Sequence, residues 1–380
     1  MWIAIMKYDI AIVGAGIIGL SHAYAAAKRG LKVLVCERTD QPLGASIRNF
    51  GFGVVTGQRE GEMLNLANQS RNIWSEWINH ADIDAKRNGS LLIARNQVEA
   101  AVLESFVENK VKQHGYECEL LSKQDIGALY GGQFSRYSTI LHGKNDQVIF
   151  SREALPQLIR YLSSLPNVTM KFGTLVKDLD VDQGRLITTI GDFSAAHIFV
   201  CSGHDYQTLL ADEIQQLNPM ICRLQMLRVR PVKELSLQHA LFTGLSCTHY
   251  DAFRDLPETA ILRLAMEKNH PEFVKYGIHL LITPTPSGDL IIGDSHAYSQ
   301  FPRPFSSENI DNILLKLAEE TLGLELKTIE RWTGKYGSKG SEPYSIIKAG
   351  SCVTAVLMRT GLGMSIGPAL GENIVANVCE

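Results

Sequence analysis

The sequence predicts an α/β chain in two parts. One is a parallel-sheet unit assembled from both chain ends and a middle piece, and the other is an inserted α+β domain on a mainly antiparallel sheet. Three observations lead there. A strand, helix, strand unit opens the chain at 8–38, the glycine-rich texture returns in the last fifty residues, and the stretch 217–330 between them runs in longer strands. The expected division is 1–82, 145–215 and 331–380 for the first part, and 83–144 and 216–330 for the insert. A chain of 380 residues is longer than one hydrophobic core usually serves.

Composition narrows the classes. Hydrophobic content of 45% and charged content of 20% are those of a globular protein with a sizeable core, and a net charge of -3 gives no pull toward nucleic acid. The seven cysteines (36, 118, 201, 222, 247, 352 and 379) have no short paired spacing, so no zinc or other metal site is expected. An odd, scattered set fits a reduced, cytoplasmic protein. Met1 to Met6 is apolar but is followed by Lys7 and Asp9, which argues against a signal peptide or membrane span.

In the opening unit, residues 10–13 form an apolar run ending at Gly14. Ala15 to Arg29 is helix-compatible, Gly30 closes it, and Leu31 to Cys36 is a second strand ended by Glu37. Residues 62–80 have helical periodicity with Leu66, Ile73, Trp77 and Ile78 toward one face. A second amphipathic helix is expected at 97–114, a short one at 123–131, and another at 151–165 with Ser151 as N-cap candidate. VTMKF, TLVKDLDV, RLITTI and HIFVCSG then read as a meander with turns at Asp182 to Gly184 and Gly191 to Asp192. From 217 to 330 the expectation is longer strands, a hairpin turn at Ser287 to Asp289, and one helix near 306–322. The C-terminal SCVTAVLMRTGLGMSIGPALGENIVANV reads as strand, glycine loop and final helix.

Gly14, Gly16 and Gly19 stand between a strand and a helix, which is the context a dinucleotide fingerprint needs to be a Rossmann-like site. The first glycine makes the turn, the second admits pyrophosphate to the backbone, and the third lets helix pack on strand. Ile17 at the helix start and Arg38 beside Glu37 belong to the same cofactor-binding set. Glu37 suits an adenosine ribose and repels a 2'-phosphate, which favours FAD or NAD over NADP. The fingerprint alone leaves FAD and NAD open. An NAD-dependent dehydrogenase or a non-catalytic nucleotide-binding protein would share it.

GASIRNFG at 44–51 resembles the second flavin-contacting segment of the D-amino acid oxidase superfamily, which includes glycine oxidase, sarcosine oxidase and D-amino acid dehydrogenase. VTMKFGTLVKDL with HIFVCSGHD resembles the superfamily's middle FAD-binding piece, and TGLGMSIGPALGE its C-terminal flavin loop. The resemblance implies that Ser46 reaches the pyrophosphate, and that Asn49 and Gly51 lie beside the flavin ring. It places Val176 near the adenine, puts Cys201 and Gly203 in the loop after a core strand, and has Gly361, Gly363, Met364 and Ser365 turned to the flavin. The first part of the chain becomes an FAD-binding domain and the insert a substrate domain. With Ser46 and Arg48 where a linking cysteine or histidine would stand, non-covalent FAD is expected. Arg48, a charge in a small and apolar run, is expected to meet an anionic partner at the flavin.

ASIRNFG, GQREGE, SRNIW, GSL, HYDAF and GDSHAY together resemble glycine-oxidase-like flavoproteins associated with aminophosphonate catabolism. One departure supports that subgroup. The amino acid oxidases carry an arginine in a W-x-G-x-R-P pattern that holds the substrate carboxylate, whereas this chain reads Trp332-Thr-Gly-Lys-Tyr336-Gly. Lys335, Lys339 and Arg48 are then the cations available for a substrate anion, with surface lysines as the plainer reading of the first two. Of His249, His279 and His296, the second sits in an apolar strand and reads as a core histidine. His296 is the better candidate for substrate contact.

The resulting expectation is an FAD-dependent amine oxidoreductase. It would anchor the anionic tail of a small amine, pass hydride to the flavin, and release an aldehyde or oxo acid after imine hydrolysis. N-alkylated 2-aminoethylphosphonate is the expected substrate, with D-amino acids, glycine or sarcosine as alternatives. Oxygen or an electron carrier would be the acceptor, and catalytic side chains beyond the flavin are not assigned.

Overall fold

The computed structural model describes residues 7–338, 340 and 342–379. Lys339, one of the three cations named above, lies outside the described residues. Among them the strands form three sheets.

The first sheet has a parallel centre. Lys7–Val13 pairs in parallel with Val33–Cys36 on one side and with Gly191–Val200 on the other. Val168–Lys171 and Val353–Met358 extend it, also in parallel. The expected meander is present as Val176–Asp180, Arg185–Thr188 and Gly191–Val200, paired antiparallel. Tyr344–Ala349 adds an antiparallel edge to Val353–Met358. Central strands such as Val33–Cys36 are buried along their whole length, which is why they read as unbroken apolar runs.

The helix Ile17–Lys28 covers this sheet and packs against the C-terminal helix Gly363–Cys379, so the two chain ends meet at the cofactor end of the sheet. Added Cβ atoms show how close they are: at Gly371 one would stand 2.6 Å from Ser21 Cβ, and at Gly367 one would stand 2.9 Å from Ile18 Cδ1. The helix Glu62–His80 has the expected bounds. Its buried face is Leu66, Ser70, Trp74 and Trp77, whereas Ile73 and Ile78 are only half-buried. Trp74 Nε1 donates to Met364 O (2.9 Å), and Ala369 N donates to Ser70 Oγ (3.0 Å), tying this helix to the C-terminal one.

The second sheet is antiparallel except where Ala240–Thr243 runs parallel to Ser90–Ile93. Its long pair, Met220–Pro231 and Leu326–Ser338, runs from Met220 opposite Ser338 to Pro231 opposite Leu326, with one register shift between Arg228 and Val229. Sheet membership therefore changes after Ser338, where the sequence expectation put the change at 331. A small third sheet of Phe52–Gly53, Gln147–Ile149 and Ala85–Lys86 lies between the two larger ones in the chain path.

Several local expectations are corrected. Ser151 is the first helical residue of Ser151–Ser164 and Phe150 is the N-cap, with no side-chain cap. The 97–114 helix contains a π-helical turn, Val107–Val111. Two helices in the insert, Pro257–Asn269 and Pro271–Tyr276, were not expected. Each begins with a proline at its first turn, a position where the missing N–H costs nothing.

Candidate active site

A cavity of about 1080 Å³ runs from the fingerprint glycines to the second sheet. Its first half is a dinucleotide cradle. Gly14 has φ +103°, and a Cβ there would stand 2.5 Å from Cys201 O, so the turn needs a residue without a side chain. Gly19 serves packing and does not line the cavity: a Cβ would meet Gly14 O at 1.9 Å. Gly16 caps the helix Ile17–Lys28 without a side-chain hydrogen bond of its own. The Ile17 N–H instead donates to Ser46 Oγ at 2.9 Å, which places that hydroxyl at the positive end of the helix.

Glu37 ends its strand with 9% exposure. Its carboxylate accepts from Ala15 N (2.9 Å) and from Thr39 N (3.2 Å) and Oγ1 (2.8 Å), which fixes its orientation and leaves acceptor capacity toward the cavity. Arg38 turns to Asp205 (2.7 Å) across the mouth. Val176, Cys201 and Gly203 line the cradle, and burial pushes the Cys201 thiol up, keeping it protonated.

At the other end of the cradle, Asn49 Nδ2 donates to Ala45 O (3.0 Å) and Ser46 O (3.1 Å), and its Oδ1 accepts from Gly51 N (2.6 Å). Asn49 lines the cavity while holding the turn closed. Gly51 does not line it; with φ +68° and Ile149 O only 1.9 Å from where a Cβ would stand, it is the hinge of that turn. Gly361, Gly363, Met364 and Ser365 all line the cavity at the start of the C-terminal helix, where the Ser365 N–H turns back to Leu362 O (2.9 Å) and the N–H groups of Gly363 and Met364 precede the first helical carbonyl. Ser365 Oγ accepts from Val54 N (2.9 Å), so this hydroxyl joins the loop to the turn after Gly53.

Beyond the cradle the walls change. Arg48 is half-buried, borders the cavity and makes no ion pair among the described residues. Its carbonyl accepts from Trp332 Nε1 (3.0 Å), pinning its backbone to the strand Leu326–Ser338. Tyr336 of that strand faces the C-terminal loop: a Cβ on Gly361 would lie 3.3 Å from its ring. Burial pushes the Tyr336 phenol well up, with Cys222, Tyr298 and Asp294 adding to the shift, so it stays a neutral donor. Lys335 pairs across the strands with Arg223, whose side chain turns away to Ser306 Oγ (2.7 Å). Alternation therefore sets Lys335 on the opposite face from Tyr336, although it borders the cavity rim near His204.

His296 lies at the inner end, and the structure brings His249 and His279 to it. Ring centroids are 4.1 Å apart for His249 and His279, 4.6 Å for His249 and His296, and 5.2 Å for His279 and His296. His296 Nδ1 donates to Gly277 O at 2.7 Å, and His279 Nδ1 meets Ser246 Oγ at 3.0 Å. Asp294 is the carboxylate beside them, 3.4 Å from His279 Nε2 and 3.8 Å from His296 Nε2. Burial holds His279 well below the usual histidine range and raises Asp294 to about 6, and His249, exposed to the cavity, is lowered as well. His279 is buried, as the apolar run implied, yet it also lines the cavity. Asp294 and Tyr250 were not singled out from the sequence. The signal was present, since Asp294 lies inside GDSHAY and Tyr250 inside HYDAF, but nothing local marks either as facing a cavity.

The fold and this cradle define a dinucleotide-dependent enzyme architecture, and the family model for FAD dependent oxidoreductases (DAO) matches residues 9–377. The chain belongs to that family. Its sequence is 25% identical over 202 residues to monomeric sarcosine oxidase from Bacillus sp. (strain B-0618), covering 52% of this chain and 51% of that protein. The matched region thus spans about half the length of that relative. Glycine oxidase from Geobacillus kaustophilus superposes with a TM-score of 0.75 at 20% identity, covering 98% of this chain and 94% of that one. L-alpha-glycerophosphate oxidase from Mycoplasma pneumoniae, a structure with FAD bound, superposes at 0.72 with 18% identity, covering 98% and 95%. These likenesses show the fold. The residues present fit the family's cofactor: Gly14 and Gly16 border the cavity with backbone alone, and Glu37 and Ser46 offer polar groups beside them.

Proposed function

We propose that this protein oxidises a small amine bearing an anionic group, with non-covalently held FAD. The observation that carries this reading is the continuity of one cavity from the Gly14 cradle to a closed, polar end made by Tyr336, Asp294 and the three histidines, with Arg48 on its wall. When bound, FAD supplies the two-electron acceptor for the C–H bond beside the amine nitrogen. The chain's own part is to position the substrate and exclude water. Anchoring the anionic tail turns the amine toward the cradle, and the oxidised imine is then hydrolysed by water to a carbonyl compound and an amine.

N-alkylated 2-aminoethylphosphonate, giving phosphonoacetaldehyde, is the substrate favoured here. Tyr336 holds the position at which a carboxylate-binding arginine would stand, and separated donors suit a three-oxygen anion better than a bidentate fork does. The names of sarcosine oxidase and glycine oxidase favour the second reading, a small amino acid. Either oxygen or an electron carrier serves as acceptor.

Anaerobic bleaching of the flavin's visible band tests this. N-methyl-2-aminoethylphosphonate is expected to bleach it rapidly, with sarcosine and D-alanine far slower. Bleaching by the amino acids alone would replace the phosphonate reading with the second one. A purified protein that binds no flavin would remove the proposal altogether.

A further inference from the structure

We propose that His249, His279 and His296 form a receptor for a tetrahedral oxyanion, and that the anion binds together with a proton taken up by the cluster. The inference rests on the amine-oxidation reading and identifies which groups hold the substrate's anionic end.

The geometry shows an open set of polar groups. His279 Nε2 and Asp294 Oδ1 are buried without a hydrogen-bond partner. Their separation of 3.4 Å, and the 3.8 Å between His296 Nε2 and Asp294, exceed the usual hydrogen-bond length. Buried polar atoms are normally satisfied, so His279 Nε2 calls for a ligand oxygen from the cavity, and Asp294 Oδ1 meets the same ligand as a donor once it carries a proton. In neutral His296, the Nδ1–H donated to Gly277 leaves Nε2 as the site for an added proton. His249 opens to the cavity, and no side-chain hydrogen bond fixes its ring. With a proton added to the cluster, the imidazoles present N–H groups at separate points around one space, a better match to three oxygens than to the two of a carboxylate.

A metal ion is the competing occupant, because the three ligand nitrogens lie within 4.8 Å of one another. The ring planes argue against it. A metal bonds in the plane of each imidazole, whereas His279 stacks on both other rings at 26° and 19°, with His249 and His296 tilted by 41°. Stacked planes do not converge on one ion.

Charge explains the proton. Burial and mutual repulsion oppose protonation of His249 and His279 in the free protein, and the other groups facing them do not offset this. Asp294 is the nearest acid; Tyr250, Tyr298, Tyr336 and Cys222 are held neutral by burial. Asp251 and Arg254 line the same cavity and pair with each other. Above about pH 6 Asp294 is the ionised counter-charge to these rings and repels an anion, so the anion's arrival favours protonation of the cluster, Asp294 included.

Propane-1-sulfonate is the probe, because its charge is fixed across the working range and it has no amine to reduce the flavin. Titrated into the holoprotein and followed by the flavin spectrum from roughly pH 8.5 to 6, it is expected to tighten by up to about tenfold per unit as pH falls. Calorimetry in buffers of different ionisation heat should show proton uptake. Butyrate should bind more weakly. His249→Asn and His296→Asn should each weaken the sulfonate about tenfold or more and flatten the pH dependence, with an unchanged flavin spectrum showing that the fold is intact. A pH-independent affinity, or variants that bind as the parent does, would overturn the receptor. So would a stoichiometric metal whose removal abolishes sulfonate binding. Anaerobic reduction by amines, run beside it, separates the two proposals: flavin bleached by an amine with a flat sulfonate titration defeats the receptor alone.

Discussion

Arg48 poses a question that runs through the molecule: a cation in a small, apolar segment needs a partner. No carboxylate among the described residues pairs with it, and it borders a cavity whose far end holds three imidazoles. Its neighbour Ser46 has a narrower part. The hydroxyl meets the Ile17 N–H at 2.9 Å, at the first turn of the helix that would face pyrophosphate. Ser46→Ala removes one hydrogen-bonding group there, worth about 1 kcal/mol. Titration of the apoprotein with FAD should then show roughly five- to tenfold weaker binding, with little change in the flavin spectrum once saturated.

At the scale of elements, the cradle depends on two helices that are distant in sequence. Ile17–Lys28 and Gly363–Cys379 approach closely enough that Gly371 has no room for a larger side chain, because Ser21 lies 2.6 Å from where its Cβ would be. Gly371→Leu forces the helices apart, and such overpacking costs about 1 to 3 kcal/mol. The displaced helix carries the Ile17 N–H and the displaced partner carries Met364 and Ser365. The expected outcome is therefore a lower melting temperature together with purified protein that holds less flavin. A variant that melts early but retains full flavin would show that the helix contact is separable from the cradle.

For the whole molecule, buried histidines set the acid limit of stability. His22, fully buried, and His239, half-buried, are lowered to about 4, chiefly by burial. A folded value below the unfolded one means the unfolded chain binds protons first as pH falls. Stability from these groups is present above about 6.5 and is lost on acidification toward their folded values. Two such groups give a slope of up to about 3 kcal/mol per pH unit in that window. Asp294, raised to about 6, works in the other direction, since its folded site favours the proton and its contribution fades as pH rises through 6. Urea unfolding between roughly pH 6.5 and 4 should thus show a steep loss, made shallower by His22→Asn.

Some of this was written locally and some was not. The fingerprint glycines, Glu37, the bounds of Glu62–His80 and the antiparallel character of the insert follow from short-range rules: periodicity, turn chemistry and unbroken apolar runs. GASIRNFG and TGLGMSIGPALGE carried the family. The helices Pro257–Asn269 and Pro271–Tyr276 escaped because they interrupt a stretch dominated by strands. The histidine cluster could not be read at all. His249, His279 and His296 come from three separate segments, and only the pairing of Leu281–Pro284 with both Ala240–Thr243 and Leu290–Gly293 sets them and Asp294 around one space. Sequence determines each residue's chemistry and its local conformation, because both depend on near neighbours along the chain. Tertiary structure decides which chemistries share a cavity, and with what protonation, because burial and mutual distance are properties of the packed chain alone.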